Sequence, residues 1–158
     1  MNRIYCIIGK FAETTQLIEL SLGEICEKSE IIKEFGRNKN ISQADYDRVV
    51  DDASFLKEKM ETMTFGQMIA TVYDSRSLSN DEITNLKELL GKRNYFTHEY
   101  FKYTNFSNAT EELILEEFNA IKADLLKLKQ MLNRLTLIKE NQLTRINYLL
   151  TKANLTQK

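Results

Sequence analysis

The sequence predicts an all-α fold: an up-and-down bundle of four or five helices closed by a long C-terminal helix. Three observations lead there. The 158 residues include no proline and only five glycines, none after Gly91, so the tight turns of a sandwich or barrel lack the residues that make them. Apolar side chains recur at steps of three and four along most of the chain, the period of a helix with one buried face. Capping signals, a Ser or Asn followed three residues on by an acid, stand before three of the runs. The length suits a single domain over residues 1–158, large enough to build a core without staples.

The first run places Ile4, Ile8, Phe11, Ile18, Leu22, Ile25 and Ile32 on one stripe, interrupted by Thr15 and Ser29. Gly36 and the polar residues after it predict the stop, with the glycine just past the last helical residue. Ser42 is the expected N-cap of a second helix, with Asp45 in its first turn. Its inner face reads Tyr46, Val49, Val50, Ala53, Leu56 and Met60, and it ends near Met63. Thr64 to Tyr73 is a short third helix, and a polar break follows. Ser79 and Glu82 form a capping box that opens a helix through Ile83, Leu86, Leu89 and Leu90 and on to Tyr103. Asn108 with Glu111 repeats that start for the last helix. There Ile114, Phe118, Ile121, Leu125, Leu128, Leu132 and Leu135 form a core or dimer seam. Beyond Leu135 the stripe thins to Ile138, Ile146, Leu149 and Leu150. The polar tail from about Lys139 suits an extension past the bundle or a surface for a partner.

Composition removes several function classes. A net charge of -1 argues against a duplex-DNA binder that works by bulk charge, though not against a local basic patch. An apolar content of 42% and a mean hydropathy of -0.40 fit neither a disordered chain nor a membrane span. Cys6 and Cys26 make no CxxC pair or metal cluster and read as buried thiols in a reducing compartment. The opening apolar run, Ile4 to Ile8, is too short for an export signal. The expectation is a cytoplasmic protein without membrane contact, metal or cofactor.

Chemistry concentrates in Gly91 to Tyr103. This segment holds the single histidine of the chain, His98, and a dense aromatic cluster of Tyr95, Phe96, Tyr100, Phe101 and Tyr103. Imidazole is the side chain that ordinarily accepts and returns protons near neutrality. Arg93 is permanently cationic and forks onto phosphate oxygens. Asn94, four residues before His98, shares its helix face and can orient the ring. Aromatic rings such as Tyr95 can stack on bases, and Lys92 and Lys102 can hold an RNA backbone. A proton shuttle, a phosphate binder and stacking platforms are the parts that metal-free RNA cleavage needs. On a regular helix Arg93 and His98 stand about 140° apart. Either the arginine stem reaches round, or a second copy completes the site across a two-fold axis.

Arg93-Asn94-x-x-x-His98-x-Tyr100 resembles the R-x4-H signature of the HEPN superfamily, with its polar residue after the arginine. The added tyrosine makes R-x4-H-x-Y, which looks like the HepT toxins of MntA–HepT toxin–antitoxin systems. The helical pattern is compatible with that superfamily over nearly the whole chain, but only these eight positions are specific. The resemblance implies a small α-helical bundle that dimerises. It implies a metal-independent endoribonuclease of a toxin–antitoxin or phage-defence system, with Arg93 and His98 lining a cleft between protomers and Asn94 in support. It further implies a nucleotidyltransferase antitoxin that transfers AMP to Tyr100. Two alternatives stand beside it: a non-cutting helical partner of a nucleotidyltransferase, and an interaction protein whose last helix forms a coiled coil.

Overall fold

The computed structural model describes residues 2–38, 40–103 and 109–156, without the side chains at positions 2, 101 and 103. Among the described residues all regular structure is helical. Helix α1 spans Asn2–Arg37, α2 Gln43–Glu61, α3 Phe65–Ser75 and α4 Asn80–Asn94. A π-helical turn, Tyr95–Glu99, leads into the short α5, Tyr100–Tyr103, and α6 runs from Glu111 to Ala153. Taking α4, the π turn and α5 as one rod gives five helices, as expected.

Side-chain pairings fix the directions. Helix α2 returns along α1, with Phe35 against Tyr46 (ring centroids 5.9 Å) and Glu27 near Lys57 (3.7 Å). Helix α4 descends along α6 through Arg134–Glu82 (2.6 Å) and Lys92–Asp124 (2.9 Å). Helix α6 runs parallel to α1: Lys139 donates to Ser21 (3.2 Å) and Gln142 to the Ile25 carbonyl (3.2 Å). With five alternating helices the first and last point the same way and lie side by side. At 1.5 Å per residue both are long, about 54 Å and 65 Å. Their pairing is the backbone of the molecule.

The caps follow the chemistry of their residues. Ser42, Thr64, Ser79 and Thr110 each accept the backbone N–H three residues on, satisfying donors that a helix start leaves open. Ser79 and Glu82 close the expected capping box, and Thr64 with Gln67 closes another of the same kind. Asn108, the expected start of α6, lies outside the described residues, and Thr110 is the cap. Gly36 does not act as a left-handed stop: α1 continues to Arg37, and no described glycine has positive φ. The left-handed ends belong to Arg76 after α3 and Asn154 after α6, both at φ 55°.

Apolar packing divides into two clusters. The larger joins α1 as far as Cys26, Met60 at the end of α2, α3, α4, the π turn with Tyr100, and α6 as far as Leu135, with Phe11, Leu22, Leu86, Leu128 and Leu135 among its members. The smaller joins the ends of α1 and α6 to α2 through Ile31, Phe35, Tyr46, Ala53, Ile146 and Leu150. The tail from Lys139 therefore neither overhangs the bundle nor awaits a partner on that face. It completes this second cluster. A polar belt lies between the two: Lys139 reaches Ser21 and Glu24, Gln142 donates to Ser29, and Ser29, Ser77 and Ser75 form a hydroxyl chain. Cys26 is buried as expected and its thiol is pushed up to about 11, chiefly by burial. Cys6, by contrast, is exposed.

The stripe from Ile114 to Leu135 is core, with Leu125 and Leu128 turned onto α1. Leu126, one position along, is 54% exposed. Leu128→Ala is expected to lower unfolding stability by about 2–5 kcal/mol through the cavity it leaves. Leu126→Ala should stay within about 0.5 kcal/mol under conditions where the chain is monomeric. Urea denaturation of the two variants checks this.

Candidate active site

The motif falls where the helix changes pitch. In the turn Tyr95–Glu99 the Tyr100 N–H bonds to the Tyr95 carbonyl, five residues back. Such wide turns inside α-helices occur frequently at functional sites. Aromatic packing anchors this one. Phe96 and Tyr100 are both buried. Phe96 meets Phe11 of α1 edge-on at 4.9 Å, Tyr100 meets Phe96 at 5.5 Å, and Tyr95 closes on Tyr100 at 5.8 Å. Such ring pairs contribute about 0.5–1.5 kcal/mol each beyond the area they bury. Thr97, His98 and Glu99 face outward.

This geometry alters the relation of Arg93 to His98. On a regular helix they stand about 140° apart. A turn whose bonded partners are five apart brings the fifth residue back over the first. Arg93 itself belongs to α4, before that turn, and the two side chains differ in exposure: Arg93 is half-buried and His98 exposed.

Arg93 is half-buried, and its Nη1 donates to Asn94 Oδ1 at 3.2 Å. Asn94 thus steadies the guanidinium; the expected orientation of His98 by Asn94 is not formed. No ion pair joins Arg93 to Glu88 or Glu99 among the described residues. Its charge acts instead on Glu19 of α1: burial pushes the Glu19 carboxyl above the carboxylate range, and Arg93 opposes that rise. His98 is exposed, and no hydrogen bond to a described residue holds its ring.

The remaining expected residues divide. Tyr95 is 39% exposed and offers a ring edge to solvent. Tyr100 is fully buried; burial first, and the Glu117 carboxylate second, push its phenol far above the ordinary range. An AMP acceptor must reach solvent, so modification of Tyr100 requires α5 and the π turn to open. Lys92 binds Asp124 of α6 at 2.9 Å and is committed to the fold as much as to any ligand. Lys102 is exposed and has no ion pair among the described residues. The side chains of Phe101 and Tyr103 lie outside the described set. Neither Gly66 nor Gly91 marks a tight approach: a Cβ on Gly66 meets Leu90 at an ordinary 3.5 Å, and one on Gly91 meets nothing within 4 Å.

Sequence reasoning missed Glu19, Asp124 and Glu117, the acids that α1 and α6 bring to the motif. Their separation along the chain leaves no spacing signal. It also missed a groove of about 530 Å³ between α1 and α6, rimmed by Arg3, Lys10, Lys122 and Lys129 with an apolar floor and no acid in its lining. The local basic patch that the near-neutral total left open lies there. Among the described residues no three His, Cys, Asp or Glu side chains are grouped to hold a metal ion, and no helix is long and apolar enough to cross a membrane. Comparison with family models, curated proteins and solved structures finds no match to this chain.

The Glu19–Arg93 relation is measurable. Glu19 holds its proton more tightly folded than unfolded, so its contribution is complete below the ordinary value of 4.5 and is lost as pH rises through the raised folded value. Glu19→Gln, permanently neutral, should therefore match wild type near pH 4 and exceed it in stability at pH 7. The gain should be under about 1 kcal/mol, because water screens a half-exposed group. Denaturant titrations at the two pH values check the sign.

Proposed function

We propose that the chain is a metal-independent endoribonuclease of the HEPN type, acting in a toxin–antitoxin or phage-defence setting in the cytoplasm, with a second copy completing the cleft that binds RNA. The observation that carries this reading is the π turn that begins between Arg93 and His98 and carries His98, an irregularity of the kind found at functional sites, placed inside the R-x4-H pattern. Exposure of His98, a guanidinium steadied by Asn94 and a partly exposed Tyr95 ring support it further.

The reaction that these groups suit is transfer within the RNA itself. His98 takes the proton of a ribose 2′-hydroxyl, and that oxygen attacks the neighbouring phosphorus. Arg93 stabilises the extra charge on the phosphorane. The bond to the 5′-oxygen breaks, the leaving oxygen takes up a proton from water, and His98 returns the proton it accepted to solvent. The products are a 2′,3′-cyclic phosphate and a 5′-hydroxyl. Tyr95 offers a stacking surface for a base, and Lys102 a phosphate contact.

Incubation of cellular RNA with the purified chain in EDTA is expected to give fragments with those ends. His98→Ala and Arg93→Ala should each lower the cleavage rate by at least about 100-fold, the scale of losing a proton-transfer group or a charge-stabilising donor. Both positions lie outside the buried aromatic cluster, so thermal melting of the variants should follow wild type. Cleavage that persists in His98→Ala rejects the mechanism. Expression that causes no growth arrest, together with tight binding to a nucleotidyltransferase, favours the non-cutting partner; toxicity abolished by His98→Ala favours the nuclease.

A further inference from the structure

Helix α6 carries a second, solvent-facing stripe, turned away from the one that packs on α1, with Lys122 and Leu126 also bordering the groove between the two helices. Leu115, Leu126, Leu137 and Tyr148 recur every eleven residues, and each is more than half exposed (54%, 54%, 53% and 64%). Eleven residues are nearly three whole turns, so these side chains drift only about 20° per repeat and stay in line. The gaps are filled at helical steps by Asn119, Lys122, Gln130, Asn133, Asn141 and Thr144, all exposed. Over about 50 Å this outer ridge holds one charged residue, on a helix otherwise dense in charge.

The ridge is nearly a palindrome. Turned end for end about a point between Met131 and Leu132, it sets Leu126 opposite Leu137, Leu115 opposite Tyr148, Asn119 opposite Thr144, Lys122 opposite Asn141 and Gln130 opposite Asn133. A surface that matches its own reversal is what a two-fold interface requires. The flanking charges give a second, independent match. Glu112, Glu116, Lys122, Glu140, Arg145 and Lys152 are exposed, and none has an ion-pair partner among the described residues. The same reversal brings Lys122 beside Glu140, Glu116 beside Arg145 and Glu112 beside Lys152 of the second copy. Each pair occurs twice by symmetry.

We propose that two copies of this chain associate through the α6 ridge as an antiparallel helix pair in this register. The leucines and Tyr148 supply the buried seam, and the six flanking ion pairs set direction and register. The ridge lies on a face of α6 away from Glu117 and Asp124, which meet the motif segment, so a copy that completes the RNA cleft uses a different face from the copy paired here. Pairing through the ridge stands or falls independently of the ribonuclease reading.

Disulfide trapping tests the register. In a Cys6→Ser background, Leu126→Cys and Leu137→Cys chains are prepared separately, mixed and mildly oxidised. The mixture is expected to give a disulfide-linked dimer in high yield. Either chain alone should give little, because its two cysteines would lie about 16 Å apart along the pair, beyond disulfide reach. Leu126→Lys combined with Leu137→Lys changes only exposed positions. It should keep the helical circular dichroism and melting of the wild type while abolishing trapping between cysteines placed at positions 130 and 133. Efficient cross-linking of Leu126→Cys alone, which reports parallel pairing, overturns the proposal. So does absence of the mixed cross-link in a folded protein, whatever mass the chain shows in solution.

Discussion

The side-by-side packing of α1 on α6 is the constraint from which the rest of the structure follows. Two parallel helices cannot be joined by a short loop, so the chain between them must return an odd number of times. Helix α2 covers the far end of the pair, α3 turns back at the waist, and α4 descends along the near end. The lengths match this division: neither α2 nor α4 alone could shield a partner of 36 or 43 residues. Burial of apolar area between the two long stripes supplies the main driving force. Salt bridges such as Arg134–Glu82 and Lys92–Asp124 are exposed on one side and contribute direction more than stability.

The candidate site depends on that frame. Phe11 on α1 receives Phe96, and Phe96 receives Tyr100. The helix widens by one residue where these rings must all reach the core. That single irregularity leaves Thr97, His98 and Glu99 facing outward. The electrostatics come from a distance: Glu19 belongs to α1, Glu117 and Asp124 to α6.

Much of the fold was legible in the sequence, for definite reasons. Periodic stripes are dictated by burial, and Ile18, Leu22, Leu86, Leu128 and Leu135 all lie where their spacing placed them. Ser42 and Ser79 cap because a hydroxyl at that position accepts a nearby N–H, a purely local matter. Gly36 misled because helix ends are also set by tertiary packing, and Phe35 holds the last turn of α1 against α2. The residues of the motif were legible, but their mutual geometry was not. A π turn has no spacing signal of its own, so the regular helix assumed across the motif does not hold there. The pairing of Asn94 with Arg93 rather than His98 was equally hidden, since one amide has two neighbours within reach and only the folded arrangement chooses between them.

The polar belt at the waist has a consequence for how the molecule breathes. Lys139, Gln142 and the three serines interrupt an otherwise continuous greasy interior, and Gln142 Oε1 is buried there without a hydrogen-bond partner among the described residues. Such a seam couples its two sides weakly compared with interlocked aliphatic packing. The lobe formed by α2 and the distal ends of α1 and α6 thus has the makings of its own foldon, opening at lower free energy than the lobe that carries the aromatic cluster. Fluctuation at one pole would then leave the opposite pole, with its widened turn, in register.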